Sequence, residues 1–149
     1  MEAVGAVASI ASVVDLSAKV AVLCFQYSAA VTSARADIAR LHGHVVSLGV
    51  ALRGARSLVE GSSRPLLGVS HGLADAIRRC TEELKMLQDK LEPGTGQESM
   101  RRFGLRALRW PFSSKEIGVI IAHLESYEKT ILLGLQIDQT YANPIPNPP

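Results

Sequence analysis

The chain has 149 residues, of which 47% are hydrophobic and 20% charged, and a formal net charge of +2. This is the length of one ordinary domain with enough apolar material for an unstapled core, and it excludes general disorder. So small a net charge gives no global signal for nucleic acid, and none is expected as a partner.

The chain opens with "MEAVGAVASIASVV": one acid, Glu2, then twelve uncharged residues from Ala3 to Val14. A secretory signal begins with a basic region, but no Lys or Arg precedes Lys19. Position 2 is not Gly, which excludes myristoylation. Apolar spacing predicts helix from about Ala3 to Thr32, as one helix or as two meeting near Asp15. Gly and β-branched residues weaken it in isolation, so it needs tertiary or membrane contacts. Asp15 and Lys19 are the only charges between residues 3 and 34, spaced i,i+4 so that they can neutralise each other. The uncharged arms, of twelve and fifteen residues, fall short of the roughly 20 that a span requires.

Val4, Val7, Ile10 and Val14 form one ridge of this helix, while Gly5 with Ser9 and Ala8 with Ser12 supply small-x-x-x-small pairs suited to close helix approach in lipid. Three readings stay open for it. It is a buried bundle helix, a segment hidden in one state and inserted into a membrane in another, or a helix sandwiched inside an oligomer.

Ile38, Leu41, Val45, Leu48, Leu52, Ala55 and Val59 recur with alternating gaps of three and four, a heptad seam on a helix from about Ser33 to Glu60. Gly61-Ser62-Ser63 closes it. A second seam runs Leu73, Ile77, Cys80, Leu84, Leu87, Leu91 and stops at Pro93-Gly94. Opposite it, Arg78, Arg79, Glu82, Glu83, Lys85, Asp89 and Lys90 make a solvated face of mixed charge. Cys24 and Cys80 both sit in apolar helical patterns and read as reduced, intracellular thiols.

In "MRRFGLRALRWPF", residues 100–112, Arg101, Arg102, Arg106 and Arg109 alternate with Phe103, Leu105, Leu108, Trp110 and Phe112. Between Glu98 and Glu116 five basic residues face two acidic ones. Such a stretch suits an anionic lipid surface or an acidic partner; its bland reading is a loop whose aromatics plug the end of the bundle while the arginines face water. Gln97 to Leu108 fits a short helix ended by Trp110-Pro111. Ser113 with Glu116 then fits a capping box for a last helix to about Gln139, with Ile117, Ile120, Leu124, Tyr127, Ile131 and Leu135 on one face. The sequence divides into a helical domain over 1–140 and a Pro-rich extended tail or linker over 141–149.

These elements predict an all-α bundle of four to five helices. No catalytic constellation accompanies them, so a non-enzymatic protein without cofactor is expected. His42 and His44 lie about 200° apart around one helix and cannot share a metal there. "GTGQES" at 94–99 lacks the spacing and the preceding strand of a phosphate loop.

The stretches "VASIASVVDLSAKVAVLCFQYSAAV" and "ARADIARLHGHVVSL", and above all "MRRFGLRALRWPFSSKEIGVIIAHLESYE…LQIDQT", resemble the N-terminal domain of fungal STAND proteins, the NOD-like receptors in which this domain precedes a NACHT module. The resemblance spans residues 1 to about 140 and is most specific at 101–117. It implies a HeLo-like bundle related to the four-helix domain of mixed lineage kinase domain-like protein. It also implies a role in regulated cell death, in fungal immunity or incompatibility, through self-association or pairing with related STAND domains and membrane permeabilisation by the N-terminal helix. The expected location is cytoplasmic, with recruitment to membrane on activation. Carried over as membrane-active candidates are Ala3, Val4, Gly5, Val7, Ala8, Ser9, Ile10, Ser12 and Val14. Arg101, Arg102, Arg106 and Arg109, with Trp110, form a candidate lipid- or partner-facing patch on physical grounds alone. The chain has no P-loop, so ATP dependence is not carried over. The competing expectation is a helical protein-interaction module whose first helix is purely core.

Overall fold

The computed structural model describes residues 2–61, 70–92 and 109–142, with side chains over 10–58, 72–92 and 109–135. Four helices and no strand occur among them: α1 (Glu2–Ala30), α2 (Arg35–Gly61), α3 (Ser70–Leu91) and α4 (Ser114–Ala142). The expected short helix at 97–108 lies outside the described residues, as do residues 143–149 of the tail expected over 141–149. The first two residues of that tail, Tyr141 and Ala142, instead continue α4, since no proline comes before Pro144 to end it.

α1 is one continuous helix rather than two. It contains no Pro, its one Gly is near its start, and Asp15 faces solvent, so nothing interrupts the ladder. Asp15 and Lys19 do not form the expected pair; both are exposed, and neither has a partner among the described residues. Solvation of two exposed charges competes with so weak an attraction.

The heptad seams become the core. Ile38, Leu41, Val45, Leu48, Leu52 and Ala55 of α2 are buried, the side chain of Val59 lying outside the described residues, and so are Leu73, Ile77, Cys80, Leu84, Leu87 and Leu91 of α3. Ile117, Ile120, Leu124 and Ile131 of α4 join them, while Tyr127 and Leu135 pack at the margin. From α1 come Ile10, Val13, Leu16, Val20, Cys24 and Tyr27. α1 lies between α2 and α3, and α4 lies between the same two.

Hydrogen bonds fix the directions. The Tyr27 hydroxyl, near the end of α1, donates to the carbonyl of Leu91, the last residue of α3, at 2.9 Å. The Ser114 hydroxyl, at the start of α4, donates to Asp37, near the start of α2, at 2.6 Å. Residues 31–34 turn α1 back into α2, so the helices run up, down, up, down, with α1 parallel to α3 and α2 parallel to α4. Two helix N-termini therefore meet at one end, where the Asp37 carboxylate complements their positive dipole ends. Only the N-cap half of the expected box forms: the Glu116 amide donates to the Ser113 hydroxyl at 3.1 Å, and the Glu116 side chain is exposed.

Candidate functional site

α1 is the element that exceeds a plain bundle helix. From Ile10 to Ala30 it has 21 residues with a mean hydropathy of 1.4, long and apolar enough to cross a membrane by length and composition. A soluble core helix passes the same test. Only 44% of that stretch is buried, however, so much of its apolar character is not used by the core. Val22 is 56% exposed and Phe25 66% exposed on the outward side.

Of the membrane-active candidates, Ile10 is buried in the core, Val14 packs against it half-buried, and Ser12 is exposed. The described part of the Val4–Val14 ridge therefore faces inward. Ala3, Val4, Gly5, Val7, Ala8 and Ser9 are helical in backbone, and their side chains lie outside the described residues. The close helix approach seen here was not expected from the sequence. It falls at Gly49 of α2, where a Cβ would come 3.1 Å from the Ser17 hydroxyl of α1. Ser17 is buried and donates to the Val14 carbonyl at 2.7 Å. A small residue facing a buried hydroxyl lets the two backbones come close.

Of the basic-aromatic stretch, Arg101, Arg102 and Arg106 lie outside the described residues, while Arg109 is exposed and Trp110 half-buried. Trp110 packs edge-on against Tyr27 at 5.5 Å and against Phe112 at 5.3 Å, between ring centroids. The Lys90 ammonium stands 5.4 Å from the Phe112 ring centre. This aromatic plug closes the end of the bundle where α1 and α3 stop. The Trp110 indole N–H is buried there with no hydrogen-bond partner. A cavity of about 410 Å³ beside it is lined by Ser33, Asp37, Arg109 and Ser114, among others.

Two of the four histidines serve helix contacts. His44 of α2 approaches Glu125 of α4 at 3.6 Å, and His123 of α4 approaches Glu83 of α3 at 3.3 Å. Next to the first pair, Ser47 donates to Glu128 at 2.6 Å in an open groove of about 730 Å³ between α2 and α4. Ser47 is bonded to Glu128 rather than to His44, so the groove holds no hydroxyl activated by an imidazole. No group of three or more His, Cys, Asp or Glu among the described residues is arranged to hold a metal.

Cys24 and Cys80 are free and buried, and burial pushes each thiol up to about 12. They are small core residues rather than nucleophiles. On α3, the hydrogen bond from Arg78 to the exposed Asp75 holds that carboxyl below its ordinary range, with Arg79 adding to the effect. Arg78, Arg79, Glu82, Lys85, Asp89 and Lys90 of the mixed-charge face expected of α3 are exposed, whereas Glu83 is half-buried where it meets His123 of α4. Compared with family models, curated proteins and solved structures, the chain matches none.

Proposed function

We propose that this chain is a non-enzymatic signalling and execution domain of the HeLo-like kind, which self-associates and permeabilises membranes through its N-terminal helix. The observation that carries this reading is the outward side of α1. Val22 and Phe25 are exposed there, as Val50 of α2 and Leu133 of α4 are on their helices, but α1 alone among the described helices combines this with a stretch, Ile10–Ala30, long and apolar enough to cross a membrane and charged only at Asp15 and Lys19. In the resting bundle Ile10 and Val13 hold the segment in the core. On activation the N-terminal turns leave it and enter lipid, aided by the basic stretch 101–109 at an anionic surface. Residues 143–149, rich in proline, serve as an extended linker. The working location is the cytoplasm, with recruitment to membrane on activation, and no cofactor is needed.

Dye release from anionic liposomes tests the reading, using the full chain, a chain lacking residues 1–14, and a milder truncation of residues 1–9 that retains Ile10 and Val13. Leakage from the full chain and its loss in both truncations is expected, with circular dichroism reporting whether the bundle persists. Equal leakage from a truncated, folded chain removes the N-terminus from the mechanism.

The second reading, an interaction module with α1 as core alone, is favoured by the burial of Ile10, Val13, Val20 and Cys24. Under it, Ile10→Glu unfolds the protein, and the wild-type chain leaves liposomes intact.

A further inference from the structure

α1 carries two heptad seams on different faces. The inward one, Ile10, Val13, Ser17, Val20, Cys24 and Tyr27, is buried throughout. The outward one is Ala11, Asp15, Ala18, Val22, Phe25 and Ala29, with gaps of four, three, four, three and four. Ala11 is half-buried and the other five are exposed, with Lys19 and Gln26 flanking them. A repeat of this period is what a helix presents to another helix. Neither α2 nor α3 covers these five positions.

The charges on and beside this seam indicate the occupant. Asp15 and Lys19 have opposite sign, stand four residues apart, and have no partner among the described residues. In an antiparallel copy of the same helix, centred near residue 17, Asp15 of each chain meets Lys19 of the other. In the same register Val22 of one chain lies opposite the exposed Ser12 of the other, a larger side chain against a smaller one.

We propose that the outward seam of α1 is a homodimer interface, closed by a second copy of this chain packed antiparallel about residue 17. A two-fold axis satisfies both charges at once, as an isologous contact requires. A single helix-on-helix contact buries less than the roughly 1,600 Å² of a standard interface, so association is weak and concentration-dependent. The proposal rests on the seam; it supplies the self-association step of the function proposed above without depending on membrane activity.

Two single-cysteine additions on the full chain test it. In an antiparallel pair centred on residue 17 the two copies of residue 18 are offset by about 3 Å along the axis, and the two copies of residue 29 by about 36 Å. Under mild oxidation Ala18→Cys is expected to give a covalent dimer and Ala29→Cys none. The wild-type chain, whose native cysteines are buried, serves as control. Adding Lys19→Glu to Ala18→Cys should lower dimer yield about tenfold, and the swap Asp15→Lys with Lys19→Asp should restore it. All these positions are exposed, and circular dichroism checks that helix content holds.

Efficient cross-linking at residue 29 would show a parallel pair and overturn the proposal. So would an Ala18→Cys chain that stays monomeric at millimolar concentration, or Lys19→Glu without effect. A dimer with intact liposomes leaves this interface standing and removes the membrane reading. Leakage from a chain that remains monomeric does the reverse.

Discussion

Tyr27 joins two helices and the end plug through one side chain. Its hydroxyl is the donor that satisfies the Leu91 carbonyl, and its ring supports Trp110. Tyr27→Phe keeps the ring contact and leaves that carbonyl without its donor, so stability in urea should fall by about 1–2 kcal/mol. The thiols of Cys24 and Cys80 set an alkaline limit. Each is raised by burial from an ordinary 9.0 to about 12, so the unfolded chain loses these protons first. Their contribution is fully present below pH 9.0 and declines as the pH climbs toward 12, by up to about 1.4 kcal/mol per pH unit for each thiol. Burial raises the Tyr27 phenol too, which adds to the decline. Urea midpoints measured from pH 8 upward should fall, and Cys24→Ala should flatten the slope while lowering the starting value.

At the scale of elements, α2 contains a comparison that separates intrinsic helix propensity from packing. A Cβ at Gly43 meets nothing within 4 Å, whereas one at Gly49 lies 3.1 Å from the Ser17 hydroxyl. Both glycines are inside the helix. Gly43→Ala should therefore stabilise the protein by about 0.5–1 kcal/mol. Gly49→Ala should gain less or lose stability, because Ser17 is tied to the Val14 carbonyl and has little room to yield. Thermal melts of the two variants give the ordering. The three clear seams of α2, α3 and α4 were legible beforehand because a period of three and four marks one face of a helix, whatever that face packs against. α1 was less so, since apolar residues cover both its faces and no polar stripe shows which one points inward.

For the whole molecule, the plug couples unfolding of the bundle's end to that of its core. Trp110 is the single tryptophan, and it rests on α1 through Tyr27 and on Phe112, which meets Lys90 of α3. Tryptophan fluorescence and far-ultraviolet circular dichroism should therefore report one coincident transition. Leu84→Ala, at a fully buried position of α3, should shift both signals together by about 2–5 kcal/mol. A tryptophan transition that precedes loss of helix would show the plug opening independently.

The sequence by itself determined that the chain is helical, where the seams of α2, α3 and α4 lie, that Ser113 caps the last helix, and that α3 carries a solvated charged face. Each of these depends on residues within a few positions of one another. Tertiary structure alone decided which helices are neighbours, which way they run, and which side of α1 is left uncovered. Those outcomes rest on pairs far apart in the chain: Tyr27 with Leu91, Asp37 with Ser114, and Ser47 with Glu128. Helical period records how a residue faces within its own helix, and it carries no information about which distant helix will meet that face. The outward seam of α1 illustrates the boundary. Its spacing was present in the sequence, but only the packing of α2 and α3 on the opposite side showed that no helix among the described residues covers it.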